Sequence, residues 1–366
     1  MTSTKVPNYY RAKPLFGLDI GTDTLKIVQL KNSSASTIGN GDKPRVLAYG
    51  YCRFDKNAIS DGVIVKPEIL ADAARQLMAS DLKGKLSTNR VAMAIPANRA
   101  FSRSIKIPNM GPRQVQEAVE LEAEQYMPIS LSELYLDYQI VRKTLSNELE
   151  IVLIAIPSKI VDSYMALAEA LNLEAVVVES TLSSSGRLFS IDKHSRSAAV
   201  IIDFGALSSD ISIFDKDIIV SGTVDGGGVS FTELIRKLLK ISAEEAELAK
   251  TRYGLNASKK QGEIRQALEP ILQKVIKETK RMIRYYEDHY GSTKPIKQIV
   301  TLGGGSNMPG LSDYLTENLR LAVRHGDPWQ FIDYKKLGGP VEAEKSMYTN
   351  ALGLALIDPR EIFIND

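Results

Sequence analysis

The 366-residue chain holds a single cysteine, Cys52. No internal disulfide can form, and one thiol suits a reducing compartment. The three histidines, His194, His289 and His325, stand far apart without ligand spacing, which argues against a His/Cys metal site. Neither sign of charge is in surplus. The 46 Lys and Arg against 44 Asp and Glu leave a net of +2, so there is no electrostatic case for nucleic acid. No apolar run reaches the length of a membrane span. The opening MTSTKVPNYYRAKP lacks the apolar core of a signal peptide. It carries Lys5, Arg11 and Lys13 without an acid. A solvated tail is the plain reading, and contact with a membrane surface or partner the sharper one. The P-loop pattern, G-x-x-x-x-G-K followed by Ser or Thr, is missing. The glycine cluster TLGGGSNMPGL has Met308 where a dinucleotide fingerprint or a Ser-nucleophile elbow needs glycine.

What is present is a repeated phrase. Asp19 to Leu30 reads DIGTDTLKIVQL, and Asp203 to Phe214 reads DFGALSSDISIF. Each predicts a strand ending in Asp, a tight glycine turn and a returning strand. Gly21 and Gly205 permit close backbone approach, and the amides of such a turn converge on an anion. Thr22, Thr24, Ser208 and Ser209 add hydroxyl donors. Asp19 and Asp203 suit a hold on magnesium through water, since that ion keeps most of its hydration shell. Two such turns face to face would grip a polyphosphate from both sides. Lys26, standing where the second phrase has Asp210, is a sensible counter-charge. The alternatives are a strand-end Asx turn at each Asp and a solvated strand position for Lys26. The turn at 301–311 suits a surface lying flat against a nucleobase or sugar.

With 366 residues, 44% hydrophobic and 25% charged, the chain suits a soluble protein of two domains or more. Its first half reads as hairpin, third strand, helix, buried strand. The second half repeats that grammar from AAVIIDFG through SDISIF and DIIVSGTV to the helix SFTELIRKLL. A polar, glycine-containing loop is expected at 31–44. Residues 97–172 read as an insertion: the half-buried strand AFSRSIKIP, a helix between Pro112 and Pro128, two further strands and a helix opened by Ser158. The expectation is an α/β fold of two similar halves, with ligands at the strand ends between them.

These residues together resemble the actin/Hsp70/sugar-kinase superfamily. Asp19-Ile-Gly21-Thr22 with Lys26 is similar to its first phosphate motif, and Asp203-Phe-Gly205 with Ser208 to its second. VESTLSSSGR resembles the connecting helix, whose opening acid, here Glu179, orients a water in hydrolysing members. DGGGVSFT resembles a phosphate-side segment and places Gly227 and Gly228 there. ELAK resembles the Glu-x-x-Lys that borders adenosine, here Glu247 and Lys250. LGGGS resembles the adenosine motif, here Gly303, Gly304, Gly305 and Ser306.

Within the superfamily the chain most resembles the PilM family of type IV pilus assembly proteins. The resemblance spans about residues 15–357 and is carried by IPNMGPRQVQEAVELEAEQYMPISLSELYLDYQIV, AELAKTRYG, GDPWQFID and ALGLAL. It implies an actin-like ATPase fold, two RNase H-like halves around a nucleotide cleft, with an FtsA-type inserted subdomain. The implied division is a tail at 1–14, a first core of 15–96 and 173–196 on which a closing helix at 346–357 packs, an insertion at 97–172, and a second half at 197–345. Within that half, 232–295 form a helical nucleotide-capping subdomain.

The implied cofactors are ATP or ADP with Mg2+, the ion held through water by Asp19 and Asp203. Nucleotide contacts would add Asp23 and Ala206 to the motif residues above. The implied partner is the cytoplasmic tail of a PilN-like inner-membrane protein, docking near Ala97–Arg103 and Glu120–Pro128. Other platform proteins and motor ATPases are further candidates, and self-association is left open. The protein would be cytoplasmic, peripheral on the inner membrane through partners.

The chain departs from the superfamily pattern after Glu179. Ser180 replaces the usual Pro, and Ser183, Ser184 and Ser185 replace small apolar residues, so slow or absent hydrolysis is expected. Those serines should pack a helix, no histidine being placed as their base. The tyrosines of RYYEDHYG should likewise pack a helix end. A small-molecule kinase of the same superfamily is the first alternative, but no catalytic Asp stands out beyond the motif acids. The second is an FtsA-like cell-division protein, for whose tethering tail the end at Asp366 leaves little room.

Overall fold

The computed structural model describes residues 12–31, 43–144, 146–190, 198–215, 217–256, 261–290, 295–360 and 362. Most of the tail expected at 1–14 and of the loop expected at 31–44 lies outside them.

The chain opens on the expected hairpin, β1 (Phe16–Ile20) and β2 (Thr24–Lys31), followed by β3 (Arg45–Arg53). Every residue of β1 is buried, because the sheet is covered on both faces. Asp19 stands opposite Lys26 across the hairpin. Helix α1 (Pro67–Gln76) starts on proline, whose missing N–H costs nothing at a first turn. Past Gln76 the helix widens into a π turn at Leu77–Asp81. β4 (Arg90–Ile95) then pairs parallel with β1.

Next come β5 (Phe101–Pro108), α2 (Pro112–Tyr126), β6 (Leu134–Lys143) and β7 (Glu148–Pro157). The strands form their own antiparallel sheet in the order β5-β7-β6. Val115, Val119 and Ala123, one stripe of α2, pack on Ile105, Ile107, Ile151 and Leu153 as a separate small core. Helix α3 (Ser158–Ala170) returns to the first sheet and β8 (Glu174–Ser180) joins its edge. The first sheet reads β8-β4-β1-β2-β3, with the two-residue strand Lys83–Gly84 outside β3.

Helix α4 (Thr181–Ser190) leads into the second half. There β9 (Ala199–Phe204), β10 (Ser208–Asp215) and β11 (Asp217–Asp225) precede α5 (Gly228–Leu239), α6 (Ala243–Arg252) and α7 (Gln261–Tyr290). β12 (Gln298–Leu302), α8 (Leu311–Leu319), β13 (Ala322–His325) and α9 (Thr349–Ala355) complete the fold. The second sheet reads β11-β10-β9-β12-β13. β9 runs antiparallel to β10 and parallel to β12, just as β1 does to β2 and β4. Asp203 stands opposite Asp210, the register that sets Asp19 opposite Lys26. β13 was not anticipated: it is a short edge strand, half-exposed and exposed throughout, with no alternating signal.

Helices α4 and α9 join the halves. A Cβ at Gly353 would strike the Ser184 carbonyl, and one at Gly17 the Ala351 carbonyl. Both glycines therefore allow backbone contact, of α9 with α4 and of α9 with β1. Ser184 and Ser185 are buried, and their hydroxyls donate back to the carbonyls of Thr181 (2.9 Å) and Leu182 (3.1 Å). The serine cluster is thus helix packing. Of the tyrosines in RYYEDHYG, Tyr286 is buried and donates to Asp215 at 3.1 Å, whereas Tyr285 is exposed and stacks on His289, ring centres 4.0 Å apart.

Candidate functional site

Three glycine turns of the second half are laid backbone to backbone. After Asp203 the chain turns through Gly205 and Ala206 and is zipped to the start of α5. The amides of Gly226, Gly228 and Val229 donate to the carbonyls of Leu207, Gly205 and Ala206 at 2.8, 2.8 and 2.9 Å. These bonds draw the helix start to Gly228, two residues earlier than the expected SFTELIRKLL. A Cβ at Gly227 would strike the Gly205 carbonyl, and one at Gly303, where φ is +76°, would strike the Asp203 carboxylate. Gly305 lies on Phe204 and on the Gly228 amide, 3.0 and 3.3 Å from where its Cβ would be. Gly304 faces open space. Ser306 closes the third turn, its hydroxyl donating to the Gly303 carbonyl at 2.7 Å and lying 3.3 Å from His325 Nδ1.

Lys250 reaches the same place from α6. Its ammonium donates to the Gly228 carbonyl at 2.9 Å, to Thr232 at 2.8 Å and to Glu247 at 2.7 Å. Burial works against the Glu247 charge, but the bonds from Lys250 and Thr232 and the charges of Lys250 and Arg53 outweigh it and hold the carboxyl below its ordinary value. Ser208 stands half-buried at the turn. Ser209 is buried and spends its hydroxyl on the Gly226 carbonyl at 2.7 Å, so its proton already has an acceptor inside the protein.

The first-half turn is tighter. The Gly21 amide donates to the Thr24 carbonyl at 2.8 Å. Lys26 is buried, not solvated: its ammonium donates to Asp19 Oδ2 at 3.1 Å, and both residues are less than a tenth exposed. The same ammonium sits under Gly21, 2.9 Å from where a Cβ would stand. Thr22 and Asp23 form the half-buried tip of the turn.

The two turns share one electrostatic environment. Burial pushes the Asp203 carboxyl up to about 7, with further upward pushes from Asp210 and Asp19 and a downward pull from Lys26. Asp19 and Lys26 belong to the first half, so the charges of one hairpin are felt at the acid of the other. Asp210 is raised to about 6 by burial, opposed by the hydroxyl of Thr223, which donates to it at 2.6 Å. Among the described residues no three His, Cys, Asp or Glu side chains gather into a direct metal cage. Two carboxylates within electrostatic reach of each other suit an ion that keeps its water.

Glu179, at the end of β8, is engaged elsewhere. Arg187 grips both of its oxygens at 2.7 Å and also donates to the Gly353 carbonyl at 3.0 Å. Such a fork-to-fork pair is a strong, oriented contact. Arg187 lies within the same VESTLSSSGR segment, but a pairing eight residues apart across a strand-to-helix turn has no sequence signature. In the insertion, the two stretches expected to take a partner's tail meet: Arg103 of β5 stacks over the ring of Tyr126 of α2, 3.5 Å from its centre. Leu121 and Tyr126 are exposed beside them. The amide of Ala97, at the root of the insertion, donates to Thr181 of α4 at 3.0 Å.

Comparison with known structures places this architecture. A PilM–PilN type IV pilus biogenesis complex superimposes with a TM-score of 0.78 at 22% identity, over 94% of this chain and 98% of that one. The ethanolamine utilization protein EutJ of Carboxydothermus hydrogenoformans gives 0.54 at 16%, over 93% and 88%. MreB5 of Spiroplasma citri, bound to AMPPNP, gives 0.52 at 15%, over 93% and 94%. The fold is the actin-like ATPase fold. Among the described residues no helix is long and apolar enough to cross a membrane. Residues 17–358 match the family described as type IV pilus assembly protein PilM, and the chain belongs to that family.

Proposed function

We propose that this protein is a nucleotide-binding scaffold of the type IV pilus platform, which captures the cytoplasmic tail of a PilN-like inner-membrane protein. The observation that carries the nucleotide part is the convergence at Asp203. Three glycine turns are packed around it, and the charges of Asp19 and Lys26 reach it from the opposite half. The triphosphate of ATP lies between Gly21–Thr24 and Gly205–Ser208, with Lys26 beneath the first turn. Gly227 and Gly228 stand on the phosphate side, and the adenosine lies against Gly303–Ser306, bordered by Glu247 and Lys250. Asp19 and Asp203 orient the water shell of magnesium, which supplies charge neutralisation on the phosphates.

Hydrolysis is slow or absent in this reading. Glu179, the candidate for orienting a water, has both oxygens in the Arg187 fork, and the superfamily's Pro after it is replaced by Ser180. The nucleotide instead sets the angle between the halves, to the extent that it prefers one angle over another. α4 and α9, crossing at Gly353, are the elements on which that angle turns. The division proposed is a 15–96/173–196 core, a 97–172 insertion and a 197–345 half, with α3 of the insertion packed on the first core through Ile160, Tyr164 and Leu167.

The insertion offers the tail its exposed Tyr126 and Leu121 and the unpaired edge of β5, which among the described residues has no strand on its outer side. An extended peptide added there would gain main-chain hydrogen bonds, with pockets for alternate side chains. The PilM–PilN complex and the family match support this reading over the kinase and cell-division alternatives. The protein would sit beneath the inner membrane, held by its partner. Calorimetry with Mg-ATP and with a synthetic PilN-like tail tests both halves. Micromolar or tighter binding of each is expected, and no binding of either at millimolar concentration by folded protein rejects the corresponding half.

A further inference from the structure

Asp23 puts a carboxylate at the tip of the very turn assigned to phosphate. Arg53, at the end of β3, meets it: guanidinium and carboxylate lie 3.0 Å apart, with the Arg53 side chain 75% exposed. The contact is built in. The amide of Phe54 donates to the Asp23 carbonyl at 3.0 Å, which pins the end of β3 against the turn. The other cation of this hairpin, Lys26, is already paired with Asp19 below. The Arg53 charge also reaches the second half, where it is the smallest of the influences that hold Glu247 ionised.

We propose that Arg53 is a phosphate-recognition and positioning residue of the cleft: it neutralises Asp23, so that the Gly21–Thr24 turn accepts a polyphosphate, and favours a triphosphate over a diphosphate. The proposal rests on the nucleotide reading of the cleft. The physical argument is charge counting. Left alone, the Asp23 carboxylate repels each added phosphate charge. With Arg53 beside it the tip is neutral, and the guanidinium keeps free N–H groups at the mouth. Because both side chains are at the surface, the effect is moderate and screened by salt.

The test is a double-mutant cycle on the full chain, read by calorimetry with Mg-ATP and Mg-ADP at low salt. Arg53→Gln should weaken ATP about three- to tenfold and ADP less, with an unchanged melting temperature. Arg53→Lys should recover most of the loss. Asp23→Asn in the Arg53→Gln background should restore ATP affinity towards wild type. The ATP defect should shrink at 0.5 M salt. Unchanged ATP affinity in Arg53→Gln overturns the proposal, and so does a defect that Asp23→Asn fails to relieve. If the unaltered protein binds neither nucleotide, the reading of the cleft has failed rather than the role of Arg53.

Discussion

Asp203 titrates near neutrality, so nucleotide affinity should depend on pH where most carboxylates are silent. Its carboxyl is raised to about 7, by burial first, then by Asp210 across the hairpin and Asp19 across the cleft. To orient the water shell of a divalent cation it must be ionised. For a group titrating at about 7, the ionised fraction climbs from about 3% at pH 5.5 to about 90% at pH 8, so Mg-ATP affinity should rise about 30-fold over that range. Asp210, at about 6, takes up its proton in the same range and withdraws its upward push on Asp203, which makes the acid end shallower. Nucleotide and ion titrate as well, so the assay is calorimetry on wild type and Asp203→Asn in parallel, at constant ionic strength. The wild-type curve should diverge from the variant's as pH rises. Parallel curves would refute the reasoning. The sign for stability is opposite. The folded chain keeps a proton on Asp203 that the unfolded chain, at its ordinary value of 3.8, releases. The contribution to stability of the nucleotide-free protein is therefore full below about pH 4 and is lost as pH climbs through about 7.

Lys26→Ala should weaken ATP binding about 10- to 100-fold and, by leaving Asp19 buried without its cation, cost about 3–5 kcal/mol in denaturant titration. Asp19→Asn with Lys26→Met should recover most of that stability without recovering ATP binding. Gly303→Ala, at φ +76° and against the Asp203 carboxylate, should cost about 1–3 kcal/mol and weaken nucleotide binding; a variant as stable and as active as wild type would show that the turn tolerates a side chain. Glu179→Gln should leave ATP affinity and phosphate release within about twofold of wild type while lowering stability by about 1–3 kcal/mol. A tenfold fall in phosphate release would instead restore Glu179 as the residue that orients the water.

The repeated phrase was legible because its physics is local. An apolar run, an Asp, a glycine and a second apolar run set hairpin and register together, and Asp19 and Asp203 lie at equivalent points of two sheets. The same locality made the insertion helix readable between Pro112 and Pro128. What stayed hidden depends on partners distant in sequence. The Arg187 fork on Glu179 requires the crossing of β8 and α4. The burial that raises Asp203 requires Gly303 and Gly227 to arrive from 100 and 24 residues away. Lys26 reads as a counter-charge for phosphate or as a solvated strand residue, and its buried pairing with Asp19 shows only once β1 and its covering layers are in place. β13, four residues long at a sheet edge, leaves no period to detect.

The account is tested most directly by a crystal structure of the full chain with magnesium and a non-hydrolysable ATP analogue. Phosphates lodged between Gly21–Thr24 and Gly205–Ser208, with the ion one water away from both Asp19 and Asp203, are the predicted result. A nucleotide seated away from those two carboxylates would contradict it.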